Sequence, residues 1–238
     1  MKISGRAFAL LVVFFVFMAL NPARSRAGDI IAGGEWDADG QSFSYLGAGV
    51  DRDMDGRFSM TFRVFGGYLV YNFDSEGRTL DARVRMATPS LGIKLKKKNY
   101  TLICSAGLDF RDTEKDTRSG GIEKDSRTGA SVQAEAYVWD DAKRSAGVIA
   151  NFSTIDDFFW IRGRAKKAVY TFTGNRDLNI GAELIGMGNG DFSALQAGMV
   201  VELFSYDDNF SLLLKGGIKK ASGLDRTGYG GIEIYYAF

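Results

Sequence analysis

The stretch Gly228–Phe238, GYGGIEIYYAF, decides the fold. Ile232, Ile234, Tyr236 and Phe238 alternate with Tyr229, Gly231, Glu233 and Tyr235 up to the last residue. Chain ends usually fray and carry small polar residues. A period of two held this far predicts a paired strand with one face in an apolar medium. The pattern recurs upstream. A first strand reads over Asp29–Trp36 and a second over Ser42–Val50. Phe58, Met60, Phe62, Val64, Gly66, Tyr68 and Val70 then share a face against Ser59, Thr61, Arg63, Gly67 and Tyr71. Leu80, Ala82, Val84 and Met86 oppose Asp81, Arg83 and Arg85, and the alternation returns from Tyr100, Val132, Leu178, Leu195 and Phe210. Between these segments stand hairpin clusters: DADG, DRDMDG, DSEG, KKKN, DDAKR, TGNRD, GNG and YDDN. The reading gives about twelve strands. Asp157–Phe172, where Lys166-Lys167 interrupts the alternation, reads as one bulged strand or as two. One connection, Asp112–Thr128, reads as a long charged loop.

The N-terminal residues say where such a sheet is bound. Lys2 and Arg6 precede an apolar run, Ala7–Leu20, then Asn21-Pro22 and the small residues Ser25 and Ala27. That order is a secretory signal peptide, residues 1–27, followed by one barrel domain, 28–238. The run is shorter than the roughly 20 residues a spanning helix needs. Removing residues 1–27 leaves 26 basic and 29 acidic residues, with none of the basic excess of a nucleic-acid binder. The single cysteine, Cys104, excludes an intrachain disulfide, so packing or a membrane must hold the exported chain.

Two architectures suit a meander of this kind, a soluble barrel and a transmembrane one. The face opposite the apolar residues carries Gly, Ser, Thr, Gln, Tyr and single charges of both signs, which suits a confined lumen better than bulk water. Trp36, Tyr45, Tyr71, Phe73, Trp139, Phe158–Trp160 and Tyr170 stand near strand ends, like interfacial girdles. The expected fold is therefore all-β, an antiparallel up-and-down transmembrane β-barrel in the bacterial outer membrane. Its expected partners are outer-membrane lipid and the barrel-assembly machinery. Ile234, Tyr236 and Phe238 resemble the terminal signal by which that machinery recognises clients. Closure pairs this last strand with the first, and Asp112–Thr128 falls on the outer side.

The chemistry is sparse. The chain has no His, which removes the usual general base and the commonest metal ligand. Asp140-Asp141, Asp156-Asp157 and Asp207-Asp208 lie in turn-like positions, where Asp serves the backbone. Asp51, Asp53, Asp55 and Gly56 match the opening of a calcium loop, but its twelfth position is Phe62, so a hairpin turn is expected. Lys96–Lys98 reads as a periplasmic turn. Neither enzymatic activity nor a cofactor is expected. One stretch, Asn151–Phe172, stands out. Arg162 and Arg164 share parity with Phe158 and Trp160 and should face the lumen. They would either pair with Glu135, Glu183 and Glu202 or, with Trp160, form a surface that stacks on sugar rings.

The segments AEAYVWDD (134–141), ANFSTIDDFFWIRGRA (150–165) and LNIGAELIGMGNGDFSALQAGMVVEL (178–203) resemble the BcsS family of cellulose biosynthesis proteins. So do SYLGAGVDRDMDG (44–56) and FRVFGGYLVYNF (62–73). Ser153, Thr154, Asp157, Trp160, Arg162, Gly181 and Glu183 stand at the matching places, while Asp112–Thr128 and the basic Lys94–Lys98 hairpin depart from the pattern. The resemblance implies an exported, non-enzymatic accessory of cellulose production, with cellulose or its secretion components as partners and no catalytic residues to carry over. Trp160, Arg162, Arg164 and Glu183 are then candidate glycan-facing residues. A porin-like or purely structural barrel with no glycan role is the alternative.

Overall fold

A computed structural model describes residues 27–74, 79–117, 119–190 and 192–238. The signal segment up to Arg26, residues 75–78 of the DSEG cluster and the Phe73 side chain lie outside the described residues. Twelve antiparallel strands form a closed barrel: β1 (Ala27–Asp37), β2 (Ser42–Asp53), β3 (Phe58–Asp74), β4 (Thr79–Lys96), β5 (Tyr100–Asp116), β6 (Ile122–Trp139), β7 (Arg144–Ser153), β8 (Phe158–Phe172), β9 (Arg176–Gly188), β10 (Ser193–Ser205), β11 (Phe210–Ala221) and β12 (Arg226–Ala237). Each pairs with its chain neighbours, and β12 closes on β1 in a register running from Asp29↔Ala237 to Asp37↔Tyr229. The seam continues one step further. The Gly28 amide donates to the Phe238 carbonyl at 2.8 Å, and the Phe238 amide donates back at 2.9 Å. The Phe238 ring lies over Gly28, where an added Cβ would stand 2.6 Å from it, so only glycine fits beneath.

We call the end with the termini the terminal rim and the other the hairpin rim. Strand parity inverts the usual globular pattern. Ile30, Leu46, Leu91, Ile93, Leu184, Leu195, Met199, Leu214 and Ile218 point outward and are exposed. Thr61, Glu135, Gln196, Glu202 and Glu233 point inward and are buried. An apolar band of this kind is stable only against hydrocarbon, and closure leaves no strand edge within it.

Three expectations need correcting. Asp112–Thr128 is not a loop: Asp112↔Ser126 through Asp116↔Ile122 continue the β5–β6 ladder to a short turn. Its charges stabilise strands because they meet across the sheet. Lys124 donates to Glu114 at 2.9 Å, and Arg85 on β4 lies 3.9 Å from the same carboxylate. β3 to β6 run 17 to 18 residues, against 10 to 13 for β7 and β9 to β12, so they rise beyond the rest of the hairpin rim. Second, the apolar set Ala82 and Val84 faces inward and is buried, whereas Arg85 points out with its side chain 64% exposed. Further along β4, Leu91 and Ile93 hold the same outward parity, so its outer face passes from basic to apolar where the strand enters the band. Third, only part of the aromatic set forms a girdle. Trp36, Phe159 and Tyr170 are outward and exposed, whereas Trp139 is exposed at the end of β6 but shares the inward parity of Glu135 and Tyr137. Tyr45, Tyr71, Phe158 and Trp160 face the lumen, and three of these have a charged partner there: Tyr45 donates to Glu233, while Phe158 lies beneath Arg111 and Trp160 beneath Arg162.

β8 is a single strand whose bulge falls between Ala168 and Tyr170, beyond the lysine pair. The DRDMDG turn uses its own carboxylates. Asp53 accepts the Gly56 amide at 2.7 Å, and Asp55 accepts those of Phe58 and Arg57 at 2.8 and 3.0 Å. These amides hold the Asp55 carboxyl below its usual range. Asp51 turns into the lumen toward Lys94 instead, 2.6 Å away, so the three acids do not converge.

The in-and-out assignment has a direct test. Leu214→Arg should lower unfolding stability in liposomes by about 2–4 kcal/mol, the cost of a cation on the lipid face near mid-bilayer. Denaturant titration of the refolded barrel would measure it, and an unchanged midpoint would mean that Leu214 does not face lipid.

Candidate functional site in the lumen

Inward parity brings charges from distant strands to one level. Arg162 and Arg164 leave β8 two residues apart on the same face, and both reach across the lumen to Glu233 on β12. Arg162 Nη1 donates to Glu233 Oε2 at 2.9 Å, and Arg164 Nη1 to Oε1 at 2.8 Å. Arg164 also binds Glu183 on neighbouring β9 through Nε and Nη2, at 2.9 and 2.5 Å. Lys215 on β11 lies 3.5 Å from the other Glu183 oxygen and 2.7 Å from Glu35 on β1. From β2, the Tyr45 hydroxyl donates to Glu233 Oε2 at 2.6 Å. A second group completes the layer: Arg63 on β3 binds Glu135 on β6, which also accepts from Tyr137 and Gln133 at 2.7 Å each. Arg162, Arg164, Glu183, Glu233 and Lys215 side chains are between 0 and 13% exposed, so this layer fills the barrel's centre. Charges so far from water persist only because each carboxylate meets a cation and further donors.

Glycines make room for these side chains. A Cβ on Gly33 would stand 2.5 Å from the Tyr45 hydroxyl, and one on Gly231 would stand 2.9 Å from Lys215 Cε. The large side chain of one strand lies flat over the bare backbone of its neighbour.

The lumen differs above and below this layer. Toward the terminal rim it is polar: Lys166 donates to Glu202 at 2.6 Å, and Glu202 also accepts from Asn179 and Ser211. Toward the hairpin rim it is aromatic. Phe43, Tyr45 and Phe65 form a run with centroids 5.4 and 5.8 Å apart on the β2–β3 wall. On the β8 wall the Arg162 guanidinium lies 5.7 Å from the Trp160 ring, and Arg111 lies 5.3 Å from Phe158. All five rings are half-buried. With the centre filled, the hairpin-rim half of the lumen, here called the vestibule, has this ionic layer as its floor and these rings on two of its walls.

The β7–β8 turn at that rim is held rigidly. Ser153, fully buried, donates to Asp109 at 2.5 Å and accepts the Ile155 amide, while Arg111 grips the same carboxylate at 2.8 Å. Asp156 and Asp157 take left-handed φ values of 58° and 47°, unusual for two successive non-glycine residues. Asp156 is paired to Arg127 on β6.

The structure brings Trp160, Arg162, Arg164 and Glu183 together at the floor and its β8 wall. Of the carboxylates expected to pair with Arg162 and Arg164, only Glu183 does so. Glu135 takes Arg63 and Glu202 takes Lys166. Sequence reasoning missed Glu233, the shared acceptor, although its parity in GYGGIEIYYAF already set it inward. The roles of Glu35, Arg63 and Lys215 were missed as well, each being one of the scattered charges on the polar parity of its strand. Ile234, Tyr236 and Phe238 lie apart from this site on the outer face of β12, with the last two rings 6.0 Å apart.

A family model described as cellulose biosynthesis protein BcsS matches residues 21–238, and the chain belongs to that family. No curated protein matches the sequence. Among solved structures, the translocator domain of the autotransporter NalP from Neisseria meningitidis aligns with a TM-score of 0.53 at 12% identity, over 98% of this chain and 96% of that one. The β domain of the Bordetella autotransporter BrkA aligns at 0.51 and 13%, over 90% and 99%. At such identities the likeness is one of fold, and the fold is that of outer-membrane β-barrels.

Because Glu233 serves two guanidinium groups and a phenol, Glu233→Ala should cost about 3–5 kcal/mol, the usual penalty for leaving buried partners unpaired. The temperature at which the folded band shifts on an unboiled gel should fall accordingly. Glu123→Ala, at an exposed position of β6, should change it little as a control. Equal effects would mean that the central layer is not buried as described.

Proposed function

We propose that this barrel is a non-enzymatic accessory of bacterial cellulose production that sits in the outer membrane with its hairpin rim outward and holds glucan in the vestibule. The observation that carries this reading is the one-ended lumen: a filled ionic centre beneath aromatic walls suits binding rather than free passage of solute. A glucan ring offers flat C–H faces to aromatic rings and hydroxyls at its edge to charged groups. Trp160 beside Arg162, and Tyr45 beside Glu233, supply both within one layer. Membership of the cellulose biosynthesis family supports the substrate class, and the apolar outer band supports the location. The higher hairpin rim matches the side on which outer-membrane barrels carry their larger extracellular parts.

Several features favour a binding role over catalysis. The chain has no His, and of the two buried, cross-strand serines at this level, Ser131 and Ser153, the second is committed to Asp109. In the paired acids of the turns, Asp140 is bound to Arg144, Asp156 to Arg127 and Asp207 to Asn175. The filled centre likewise disfavours a porin-like role.

In a cellulose-producing host carrying this chain as its sole copy, Trp160→Ala should reduce cell-associated cellulose several-fold while the heat-modifiable barrel band keeps its intensity. Unchanged cellulose with an intact barrel would overturn the glucan role. The outward residues Ile234, Tyr236 and Phe238 act as the assembly signal in this account. Tyr236→Ser with Phe238→Ser should leave export across the inner membrane intact and sharply reduce insertion. Normal insertion of that double variant would assign these rings to packing alone.

A further inference from the structure

One concavity among the described residues is on the outer wall at the terminal rim, not in the lumen, and the lumenal chemistry leaves it unexplained. It has a volume of about 520 Å³ and is lined by Val138, Ala146, Ala165 and Ile180, with Trp139, Asp140, Arg144 and Lys167 at its lower edge. Its shape follows from two features of the sequence. Ala146 and Ala165 are cross-strand neighbours, Val138 adjoins Ala146 and Ala182 adjoins Ala165, so the outer surface sinks between larger side chains. In addition β7 begins at Arg144, opposite Lys167, whereas β8 runs on to Phe172 paired with β9. The β8–β9 hairpin therefore stands beyond the β6–β7 turn and forms a wall below the hollow, with Val169, Tyr170 and Phe172 exposed on it.

The charges at the edge are unequal. Arg144 is bound to Asp140 at 2.6 Å, and Lys143 is directed inward to Asp177 at 2.8 Å. Lys167 is outward, exposed and without an ion pair among the described residues. Among the residues that line the hollow, the edge thus carries one uncompensated positive charge, Lys167, with a second cation beside it, while exposed Asp141 of the same turn is not among the lining residues. An apolar hollow within the hydrocarbon band, with net positive charge just beyond it, is complementary to one amphiphile: a single acyl chain below a single phosphate.

We propose that this groove is a binding site for an anionic phospholipid, with an acyl chain over Ala146 and Ala165 and the headgroup phosphate on Lys167 and Arg144. The charge balance selects the headgroup. A zwitterionic lipid brings its own cation toward Lys167, whereas phosphatidylglycerol brings none. The site does not depend on the glucan reading, since it needs only the outer wall of the barrel.

The test is native mass spectrometry of the purified protein in detergent, with phosphatidylglycerol or phosphatidylcholine of identical acyl chains added in turn. The native protein should retain one phosphatidylglycerol in clear preference to phosphatidylcholine, and glycerol phosphate at millimolar concentration should not displace it. Lys167→Gln with Arg144→Gln should lower phosphatidylglycerol retention roughly tenfold, toward the phosphatidylcholine level. Ala165→Phe, which fills the hollow and leaves both cations in place, should lower retention of both lipids, with heat modifiability confirming a folded barrel in each case. Equal retention of the two lipids by the native protein, displacement by glycerol phosphate, or full retention by folded Ala165→Phe would overturn the proposal.

Discussion

Hydrocarbon offers no hydrogen bond to an open strand edge, so the rest of this molecule depends on the seam between β1 and β12. The pairing runs from Asp29↔Ala237 to Asp37↔Tyr229 and is extended by the reciprocal Gly28–Phe238 bonds. Once the sheet is closed, parity is no longer free. Every second residue must suit lipid and every other must suit a crowded interior. Glu233 lies in the seam strand itself, so the residue that gathers Arg162, Arg164 and Tyr45 is set in place by closure.

The interior then solves a second problem. A twelve-stranded barrel is wider than a single layer of small side chains can fill. This chain fills its centre with long charged residues rather than apolar ones, and lays them over glycines on neighbouring strands. Long side chains with complementary charge tie strands that never touch through the backbone: β3 to β6, and β8 to β12. The cost of desolvating these groups is offset by mutual pairing, and the result is a rigid floor rather than a channel.

Much of this was legible from residue order. The period of two, the turn clusters, the closing strand and the inward parity of Arg162 and Arg164 all follow from local geometry that the barrel does not override. What was not legible depends on distance and on solvent. No pattern in β8 says that Arg162 will meet Glu233 rather than Glu135, because strand tilt and stagger decide which levels coincide. The charged stretch Asp112–Thr128 resembles a loop until Lys124, Glu114 and Arg85 are seen to face one another on the outer sheet. Ala82 and Val84 misled for a related reason: above the apolar band the outside is water, so a basic outer face and an apolar inner one become the stable choice. The aromatic girdle was half right because Tyr45, Phe158 and Trp160 have charged partners inside that sequence alone does not reveal.

The account turns on the lumen being filled at its centre. Planar-bilayer recording of the purified protein tests this most directly. The account predicts no steady open level for the native barrel in symmetrical salt, because Arg162, Arg164, Glu183, Glu233 and Lys215 together occupy the path. A stable ohmic conductance in the native protein would contradict it and would make the barrel a pore.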